Sequence, residues 1–287
     1  MVDIGITGET GFVGRAVWRH LADQGHRVLS LRSWTYGWAP GGPPAAPGDK
    51  PANLDWVLHL GARTDIADSW ERPTATYANN VGSTLAALDI ARGAGASLVY
   101  MSSYVYGVPQ YLPIDERHPT DAVNPYMGSK LLGEQLCRQW HDFLDLPLVV
   151  LRCFNIYGDH ERSDRLVPAL LTLARTGARL EIDDPEPRRD YLYIKDFVRL
   201  IQRIVEADPV PSGTYNVGGG EAISNREVAE TVRRLVNEER SVHYAGRPRR
   251  NDIAECRADA TKVREAFDWR PEYGLERGLA EILGCAR

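Results

Sequence analysis

Short apolar runs alternate with amphipathic segments along the first half of the chain. Strands are predicted at Val2 to Thr7, Gly25 to Arg32, Asp55 to Ala62, Ala96 to Ser102 and Leu146 to Arg152. Helices are predicted from Gly11 to about Gly25, from about Pro73 to Arg92 and from about Pro125 to His141. Apolar strands that alternate with helices are typical of a parallel sheet covered on both faces. We therefore predict an α/β fold.

The alternation becomes less regular after about Asp159. We predict that residues 1–158 form one domain and that residues 159–287 mainly form a second, smaller α/β domain. A strand near Gly213-Thr-Tyr-Asn-Val-Gly218 indicates that a segment near residues 190–218 returns to the first domain. Residues 39–51 are rich in Pro, Gly and Ala, so we expect a surface loop there.

Composition narrows the classes of function. The chain has 287 residues, of which 43% are hydrophobic and 25% are charged, as in a typical globular domain. The net charge of −5 favours neither nucleic acid nor an anionic membrane as a partner. No apolar run is long enough for a membrane-spanning helix, and the start of the chain does not resemble a signal peptide. We expect a cytoplasmic protein.

The cysteines argue against a metal site. All four lie far apart and no two form a C-x-x-C pair, so we expect buried thiols in a reducing compartment and no bound metal. They are Cys137, Cys153, Cys256 and Cys285.

A glycine-rich turn, Gly8-x-x-Gly11-x-x-Gly14, follows the first strand and opens the first helix. Such a turn brings the backbone close to a pyrophosphate, and the helix N-terminus offers free N–H groups and a partial positive charge. The order strand, turn and helix is the context that a dinucleotide-binding Rossmann domain requires. The predicted cofactor contacts in this turn are Gly8, Thr10, Gly11, Phe12, Val13 and Gly14.

The end of the second strand indicates which dinucleotide binds. NAD sites usually have an acidic residue there for the ribose 2′-hydroxyl, whereas an arginine suits the 2′-phosphate of NADP. This chain has Arg32 and Ser33, so we predict that NADP(H) is favoured. NAD(H) is the alternative if Arg32 is only an exposed residue at a loop entrance.

Catalytic chemistry is indicated by Tyr126 and Lys130, which are four residues apart and so share one helix face. A nearby ammonium stabilises a phenolate, which makes the tyrosine usable as an acid or base near neutral pH. The strand that ends at Ser102 supplies a hydroxyl group for a substrate oxygen. A Y-x-x-x-K spacing alone often marks an exposed helix face, but its position after the glycine turn and a strand-end serine is more specific.

At this point the chain resembles the extended short-chain dehydrogenase/reductase family, in its nucleotide-sugar epimerase, dehydratase and reductase branch. The resemblance covers nearly the whole chain. Its motifs are Thr7-Gly-Glu-Thr-Gly-Phe-Val-Gly14, His59-Leu-Gly-Ala62, Asn80-Val-Gly-Ser-Thr84, Ser102-Ser-Tyr-Val-Tyr-Gly107, Asn124-Pro-Tyr-Met-Gly-Ser-Lys130, Leu151-Arg-Cys-Phe-Asn-Ile-Tyr-Gly158, Arg189-Asp-Tyr-Leu-Tyr-Ile-Lys-Asp196 and Tyr215-Asn-Val-Gly-Gly-Gly220.

The resemblance implies roles for individual residues. Tyr126 would exchange a proton with the reacting sugar oxygen, Lys130 would hold the nicotinamide ribose, and Ser102 would polarise the carbonyl. Further cofactor contacts would be Leu60, Gly61, Ala62 and Asn80. Contacts to a nucleotide-sugar substrate would be Ser103, Tyr104, Asn155, Arg189 and Arg249. The resemblance also implies a homodimer, paired through the helices near residues 73–92 and 125–141.

Departures from the family pattern indicate the reaction. Dehydratases of this branch have an Asp-Glu pair where this chain has Ser103 and Tyr104, so dehydration is not expected. Arg32 favours an NADPH-dependent reductase of an NDP-4-keto-6-deoxyhexose. The alternatives are an NAD-dependent NDP-sugar 4-epimerase and a non-catalytic dinucleotide sensor, although sensors often lose the catalytic tyrosine or lysine. For the aspartate that usually lies near the adenine two alternatives stay open: Asp49 fills this role, or the adenine pocket is trimmed.

Overall fold

The computed structural model describes residues 1–32, 51, 53–236, 239, 241–247 and 253–285. These residues form two compact units. The first unit comprises Met1–Gly107, Pro119–Cys153 and Leu200–Tyr215. The second unit comprises Val108–His118, Phe154–Arg199 and Asn216–Arg287. The assignment of these units as a cofactor domain and a substrate domain is a proposal.

A six-stranded sheet forms the centre of the first unit, with the strand order β2-β1-β3-β4-β5-β9. Its strands are β1 (Asp3–Thr7), β2 (Arg27–Ser30), β3 (Trp56–His59), β4 (Ser97–Ser103), β5 (Leu148–Cys153) and β9 (Gly213–Val217). Strand β9 begins in the first unit and ends in the second. The pairs β1–β2, β1–β3, β3–β4 and β4–β5 are parallel. The predicted α/β fold with a Rossmann-type parallel sheet is therefore confirmed.

The burial of the strands explains why the sheet forms. Every residue of β3 and β5 is buried, as expected for central parallel strands that are covered on both faces. The helices of this unit are α1 (Phe12–Asp23), α2 (Ile66–Glu71), α3 (Pro73–Ala94) and α4 (Pro125–Leu144). A core cluster joins α3 and α4 to the sheet through side chains such as Leu88, Cys137, Leu98 and Val150.

The strand order changes direction at β1. The chain leaves β1 through α1 and returns as β2 on one side, whereas β3 pairs with β1 on the other side. In open α/β sheets, ligands bind outside the carboxyl ends of the strands at such a switch point. The loops that follow Thr7 and His59 are therefore the expected binding region.

The second unit contains two small sheets and several helices. One sheet has the order β10-β8-β6 and the other pairs β11 with β7. The strands are β6 (Asn155–Tyr157), β7 (Leu180–Ile182), β8 (Arg188–Tyr193), β10 (Ala222–Ser224) and β11 (Val242–Tyr244). The helices are α5 (Leu166–Thr176), α7 (Asn225–Val236), α8 (Thr261–Phe267) and α9 (Leu275–Leu283). Helix α6 (Ile194–Val205) begins in the second unit and ends in the first.

Two acidic side chains organise loops of the second unit. The fully buried Asp190 accepts hydrogen bonds from the backbone N–H groups of Gly219 (2.5 Å), Gly220 (3.0 Å) and Ala258 (2.9 Å). Burial raises the pKa of Asp190 to about 6. Asp196, also fully buried, accepts from the backbone N–H groups of residues 272 and 273 at 2.9 and 3.0 Å.

One expectation about the cysteines is wrong. Cys137, Cys153 and Cys256 are buried thiols as predicted, but Cys285 is exposed. Cys285 lies just beyond Gly284, the residue that ends helix α9, so no later described element covers it. The predicted loop at residues 39–51 lies outside the described residues except for residue 51. No helix of the described chain is long and apolar enough to span a membrane.

Candidate active site

In the glycine turn, the backbone of the loop packs directly against the backbone of helix α1. Gly8 has a positive φ of 75°, a conformation that favours glycine, and its carbonyl accepts from Gly11 N–H at 2.9 Å. A Cβ on Gly14 would lie 2.0 Å from the Gly8 oxygen, so the first turn of α1 packs directly on the loop. Gly11 caps α1 without a side-chain hydrogen bond, which leaves first-turn N–H groups for an anion.

The loop after β3 touches the glycine turn. A Cβ on Gly8 would lie 2.6 Å from Gly61 Cα, and a Cβ on Gly61 would lie 3.1 Å from Gly8 N. Because only glycine permits this approach, the segment Leu60-Gly61-Ala62 lies against the turn at the switch point. The structure thus brings these two predicted cofactor segments together.

A directed chain of hydrogen bonds holds this contact. Gly61 N–H donates to Thr7 Oγ1 (3.1 Å), which lies 2.8 Å from His59 Nδ1. His59 Nε2 lies 3.2 Å from Thr84 Oγ1, which donates to the Asn80 carbonyl at 2.7 Å. Because the Thr84 proton goes to Asn80, His59 Nε2 must be the donor to Thr84, and His59 Nδ1 accepts from Thr7. Burial, helped by the positive charge of Lys130, lowers the pKa of His59 to about 3 and keeps the ring neutral.

The Asn80 side chain links the β3 loop to helix α4. Its Oδ1 accepts from Arg63 N–H at 2.7 Å, and its Nδ2 donates to the Arg63 carbonyl (3.1 Å) and to Ser129 Oγ (2.9 Å). Ser129 Oγ in turn donates to the Tyr126 carbonyl at 2.7 Å. Both N–H groups of Asn80 have protein acceptors, so this residue positions the loop and the helix that bears Tyr126.

Local capping sets the start of helix α4. The Asn124 side chain accepts from Met127 N–H at 2.9 Å, and Pro125 occupies the first turn, where proline is favoured. Two glycines allow close packing of this helix. A Cβ on Gly128 would lie 2.2 Å from the Tyr77 hydroxyl, and one on Gly133 would lie 2.1 Å from the Tyr100 hydroxyl.

Lys130 is a buried ammonium group. It is 3% exposed, and its Nζ lies 4.3 Å from the centroid of the Tyr100 ring. Among the described residues, no side chain or carbonyl accepts a hydrogen bond from Nζ. Burial lowers the pKa of Lys130 to about 8. Tyr126, one helical turn earlier, is partly buried.

Ser102 belongs to a buried polar network that the sequence did not reveal. Its Oγ donates to Glu134 Oε1 at 2.5 Å, and Glu134 pairs with Arg152, whose Nη2 lies 2.8 Å from Oε2. Arg152 Nη1 donates to the Tyr106 hydroxyl at 3.1 Å. Ser102 and Arg152 are register partners on β4 and β5, so both side chains lie on the sheet face that α4 covers. The spacing of four between Lys130 and Glu134 was the available signal.

The two residues after Ser102 have no carboxylate. Ser103 is partly buried, and the Tyr104 hydroxyl donates to the Gly107 carbonyl at 2.6 Å. The position at which a dehydratase of this branch has an acidic pair therefore offers only hydroxyl groups.

The predicted substrate contacts of the second unit lie on neighbouring strands. Asn155 on β6 is the register partner of Tyr191 on β8, and its Nδ2 donates to the Asp190 carbonyl at 3.3 Å. Arg189 Nη1 donates to the carbonyls of Arg188 (2.9 Å) and Ile253 (2.6 Å). These bonds fix the orientation of the Arg189 guanidinium. Arg249, the other predicted diphosphate contact, lies outside the described residues.

The end of β2 bears two opposite charges. Arg32 is exposed, and its backbone N–H donates to Ser30 Oγ at 3.3 Å. Ser30 Oγ donates to Glu9 Oε1 at 2.9 Å, so a carboxylate of the glycine turn reaches this strand end. Glu9 was not among the predicted contacts because the turn pattern leaves its position open. Ser33 lies outside the described residues.

The parallel sheet, the glycine turn at its switch point and the buried Lys130 beside Tyr126 define an NAD(P)-dependent enzyme with a Rossmann-type fold. The family model of the NAD dependent epimerase/dehydratase family matches residues 4–218. The chain belongs to this family.

Known relatives support the same assignment. A UDP-glucose 4-epimerase of Streptomyces lividans is 32% identical, over 93% of this chain and 90% of that protein. The structure of RMD from Pseudomonas aeruginosa complexed with NADPH is 27% identical with a TM-score of 0.87, and covers 99% of this chain and 98% of its own. The structure of TunA, a NAD dependent NDP-hexosamine 5,6-dehydratase, is 29% identical with a TM-score of 0.85, over 99% of this chain and 97% of its own.

Proposed function

We propose that this protein is a nucleotide-sugar 4-ketoreductase that uses NADPH to reduce an NDP-4-keto-6-deoxyhexose. The main observation behind this proposal is that Tyr126 and Lys130 are both present, whereas Ser103 and Tyr104 offer hydroxyl groups and no carboxylate. Without a carboxylate at these two positions, the site has proton transfer at one oxygen but no acidic pair to expel water. This combination suits the interconversion of a ketone and an alcohol.

The cofactor fits the residues that are present. The Gly8–Gly14 turn and the first-turn N–H groups of α1 would hold the pyrophosphate, because the glycine backbone leaves no side chain in the way. The Nζ of Lys130, which has no acceptor among the described residues, would donate to the nicotinamide ribose. When bound, the nicotinamide supplies the hydride that reduces the sugar carbonyl.

Proton transfer falls to the protein. Tyr126 would donate its phenolic proton to the sugar oxygen, and the nearby Lys130 charge would stabilise the phenolate that remains. Ser102 would polarise the carbonyl, but its proton is directed at Glu134 in this structure. That role therefore requires the Ser102 hydroxyl to rotate towards the sugar when substrate binds.

The substrate side is supported by Asn155 and Arg189. The carbonyls of Arg188 and Ile253 accept hydrogen bonds from Arg189 and orient its guanidinium. A guanidinium matches diphosphate oxygens because it forms charge-assisted, bidentate hydrogen bonds. Relatives of this chain are named for UDP- and dTDP-sugars, which supports a nucleotide-sugar substrate here.

Cofactor preference rests on Arg32. An exposed guanidinium at the carboxyl end of β2 favours the 2′-phosphate of NADPH, and RMD, which is 27% identical, has a structure in complex with NADPH. A reductase must exchange its cofactor in every turnover, so this preference accompanies net reduction.

The second candidate is an NAD-dependent NDP-sugar 4-epimerase. It is favoured by the relative of highest identity named above, a UDP-glucose 4-epimerase, and by the Glu9 carboxylate at the same strand end as Arg32. The Tyr126 and Lys130 chemistry would be the same, with oxidation and reduction on one sugar.

A test separates the two candidates. The purified protein is examined for bound nicotinamide by absorbance, then mixed with NADPH or NADH and a dTDP- or GDP-4-keto-6-deoxyhexose. We expect consumption of NADPH and formation of a reduced nucleotide sugar, with the Tyr126→Phe variant as the inactive control. Tightly bound NAD(H) together with no NADPH consumption would contradict the reductase and support the epimerase.

A further inference from the structure

The carboxylate of Glu9 forms a hydrogen bond to a residue of the neighbouring strand β2. The residue belongs to the turn after β1, but its Oε1 accepts a 2.9 Å hydrogen bond from Ser30 Oγ at the end of β2. The same Ser30 Oγ accepts from the Arg32 N–H at 3.3 Å. These contacts place the carboxylate at the carboxyl end of β2.

One oxygen of this carboxylate has no hydrogen-bond partner among the described residues. Glu9 Oε2 is buried, and no donor of the described residues reaches it. A buried carboxylate oxygen without a donor is unfavourable, because it has lost its water and gained no hydrogen bond. A ligand that brings a hydroxyl or N–H donor to this point would remove that penalty.

The position of the Glu9 carboxylate at the end of β2 indicates which ligand group would donate to it. In dinucleotide-binding sheets, an acidic side chain at the end of the second strand accepts from the ribose 2′-hydroxyl of NAD. This chain has Arg32 where that acid usually stands, but Ser30 fixes the Glu9 carboxylate at the same strand end. A 2′-hydroxyl can donate to Glu9 Oε2, whereas a 2′-phosphate offers only acceptors and negative charge.

We propose that Glu9 is a cofactor-specificity residue whose carboxylate, oriented by Ser30, binds the adenosine ribose 2′-hydroxyl of NAD(H) and opposes the 2′-phosphate of NADP(H). This inference rests on one part of the proposed function, namely that a nicotinamide dinucleotide binds at the glycine turn. Glu9 and Arg32 then act in opposite directions on the same group. The selectivity of the protein is the balance between them.

Equilibrium binding tests the proposal without turnover. NADH and NADPH are titrated separately into the wild type, Glu9→Gln and Ser30→Ala, and nicotinamide fluorescence reports each Kd. Asp23→Asn is the matched control, because it removes one negative charge from the exposed far end of α1. Circular dichroism verifies that each variant is folded.

Glu9→Gln should raise the ratio of the NADH Kd to the NADPH Kd by about tenfold or more. The variant loses the charge-assisted hydrogen bond to the 2′-hydroxyl of NADH, and it no longer repels the 2′-phosphate of NADPH. Ser30→Ala should shift the ratio in the same direction by a smaller factor, because the carboxylate stays but loses its orientation. Asp23→Asn should leave the ratio unchanged.

Two results would overturn the proposal in distinguishable ways. If the wild type binds both cofactors and Glu9→Gln changes their Kd values equally or not at all, Glu9 does not read the 2′ position, while the proposed function stands. If the wild type binds neither cofactor, the proposal and the proposed function both fail. A shift in Asp23→Asn as large as in Glu9→Gln would assign the effect to net charge and overturn the proposal.

Discussion

The hydroxyl of Ser102 donates a 2.5 Å hydrogen bond to the carboxylate of Glu134, and both side chains are 3% exposed. Glu134 also forms a buried ion pair with Arg152. The serine expected to polarise the substrate carbonyl is therefore anchored by a buried ion pair between helix α4 and strand β5. The hydrogen bond to Glu134 orients the hydroxyl, and the proposed mechanism would require its proton to turn from Glu134 towards the sugar oxygen.

Replacing Glu134 tests this network. Glu134→Ala would leave Arg152 buried without its counter-charge, and we expect the free energy of unfolding to fall by about 3–5 kcal/mol. Urea denaturation measures the change. The double variant Glu134→Leu with Arg152→Met should recover most of the loss, because both charges are then absent. A loss below about 1 kcal/mol in the single variant would show that the pair has little structural role.

Removal of the Tyr126 hydroxyl tests the chemistry. Tyr126→Phe should reduce turnover to near the detection limit, because no other described side chain is assigned the proton. Cofactor Kd, measured by fluorescence, should change by less than about twofold, since the phenol is not a major binding contact. Turnover equal to that of the wild type would refute the assigned role.

The buried Lys130 predicts a conflict between stability and function. Lys130→Met should stabilise the cofactor-free protein at pH 7 by about 3 kcal/mol, because it removes a buried charge. It should also weaken cofactor binding. Thermal unfolding and cofactor titration measure the two effects.

The pH dependence of the Lys130 effect has a definite sign. The folded-state pKa, about 8, lies below the ordinary value of 10.5, so the unfolded chain holds more protons between these values. The wild type therefore gains stability as the pH rises through this window, and the advantage of Lys130→Met disappears towards pH 10.5. An advantage that is independent of pH would show that folding does not lower the pKa of Lys130.

His59 should be neutral and singly protonated on Nε2. With a pKa of about 3, its ring should show no titration between pH 5 and 8 in nitrogen-detected NMR correlation spectra. Comparison with His59→Gln assigns the signal. Because the folded-state pKa lies below the ordinary 6.5, the contribution of His59 to stability is present above pH 6.5 and is lost as the pH falls towards 3. Titration near pH 6.5, or a proton on Nδ1, would contradict the directed chain from Thr7 to Thr84.

Arg32 is expected to bind the 2′-phosphate. Arg32→Asp should weaken NADPH binding by about tenfold or more while NADH binding changes much less, because a charge-assisted contact becomes a repulsion. Arg27→Asp serves as a control, since Arg27 is an exposed residue at the opposite end of the same strand. If Arg32→Asp changes the Kd values of both cofactors equally, Arg32 does not contact the 2′-phosphate.

Patterns along the chain were sufficient for the fold and for the reactive groups. The apolar strands of the parallel sheet, the glycine turn and the four-residue spacing of Tyr126 and Lys130 all have local physical causes. The predicted helix at Pro125 begins at that residue because Asn124 and Pro125 form its cap. These features could be predicted because each depends on neighbours in the sequence.

Hydrogen-bond partners that lie far apart in the sequence could not be predicted in this way. The contacts of the Asn80 side chain with Arg63 and Ser129 are an example. Glu134 follows Lys130 by four residues, but nothing in that spacing says that Ser102 and Arg152 meet it. Such contacts depend on the register of β4 against β5 and on how closely α4 packs on them.

The sequence by itself determined that a parallel sheet with a glycine turn and a Tyr126–Lys130 pair would form, because periodicity, turn chemistry and helical spacing act over short distances. Only the tertiary structure decided where the polar groups of that site direct their protons. The hydroxyl of Ser102 points to Glu134, His59 carries its proton on Nε2, and Glu9 reaches the end of β2 through Ser30. The physical reason is that a hydrogen bond requires two groups within about 3 Å, and for these groups folding brings together residues that lie far apart in the chain.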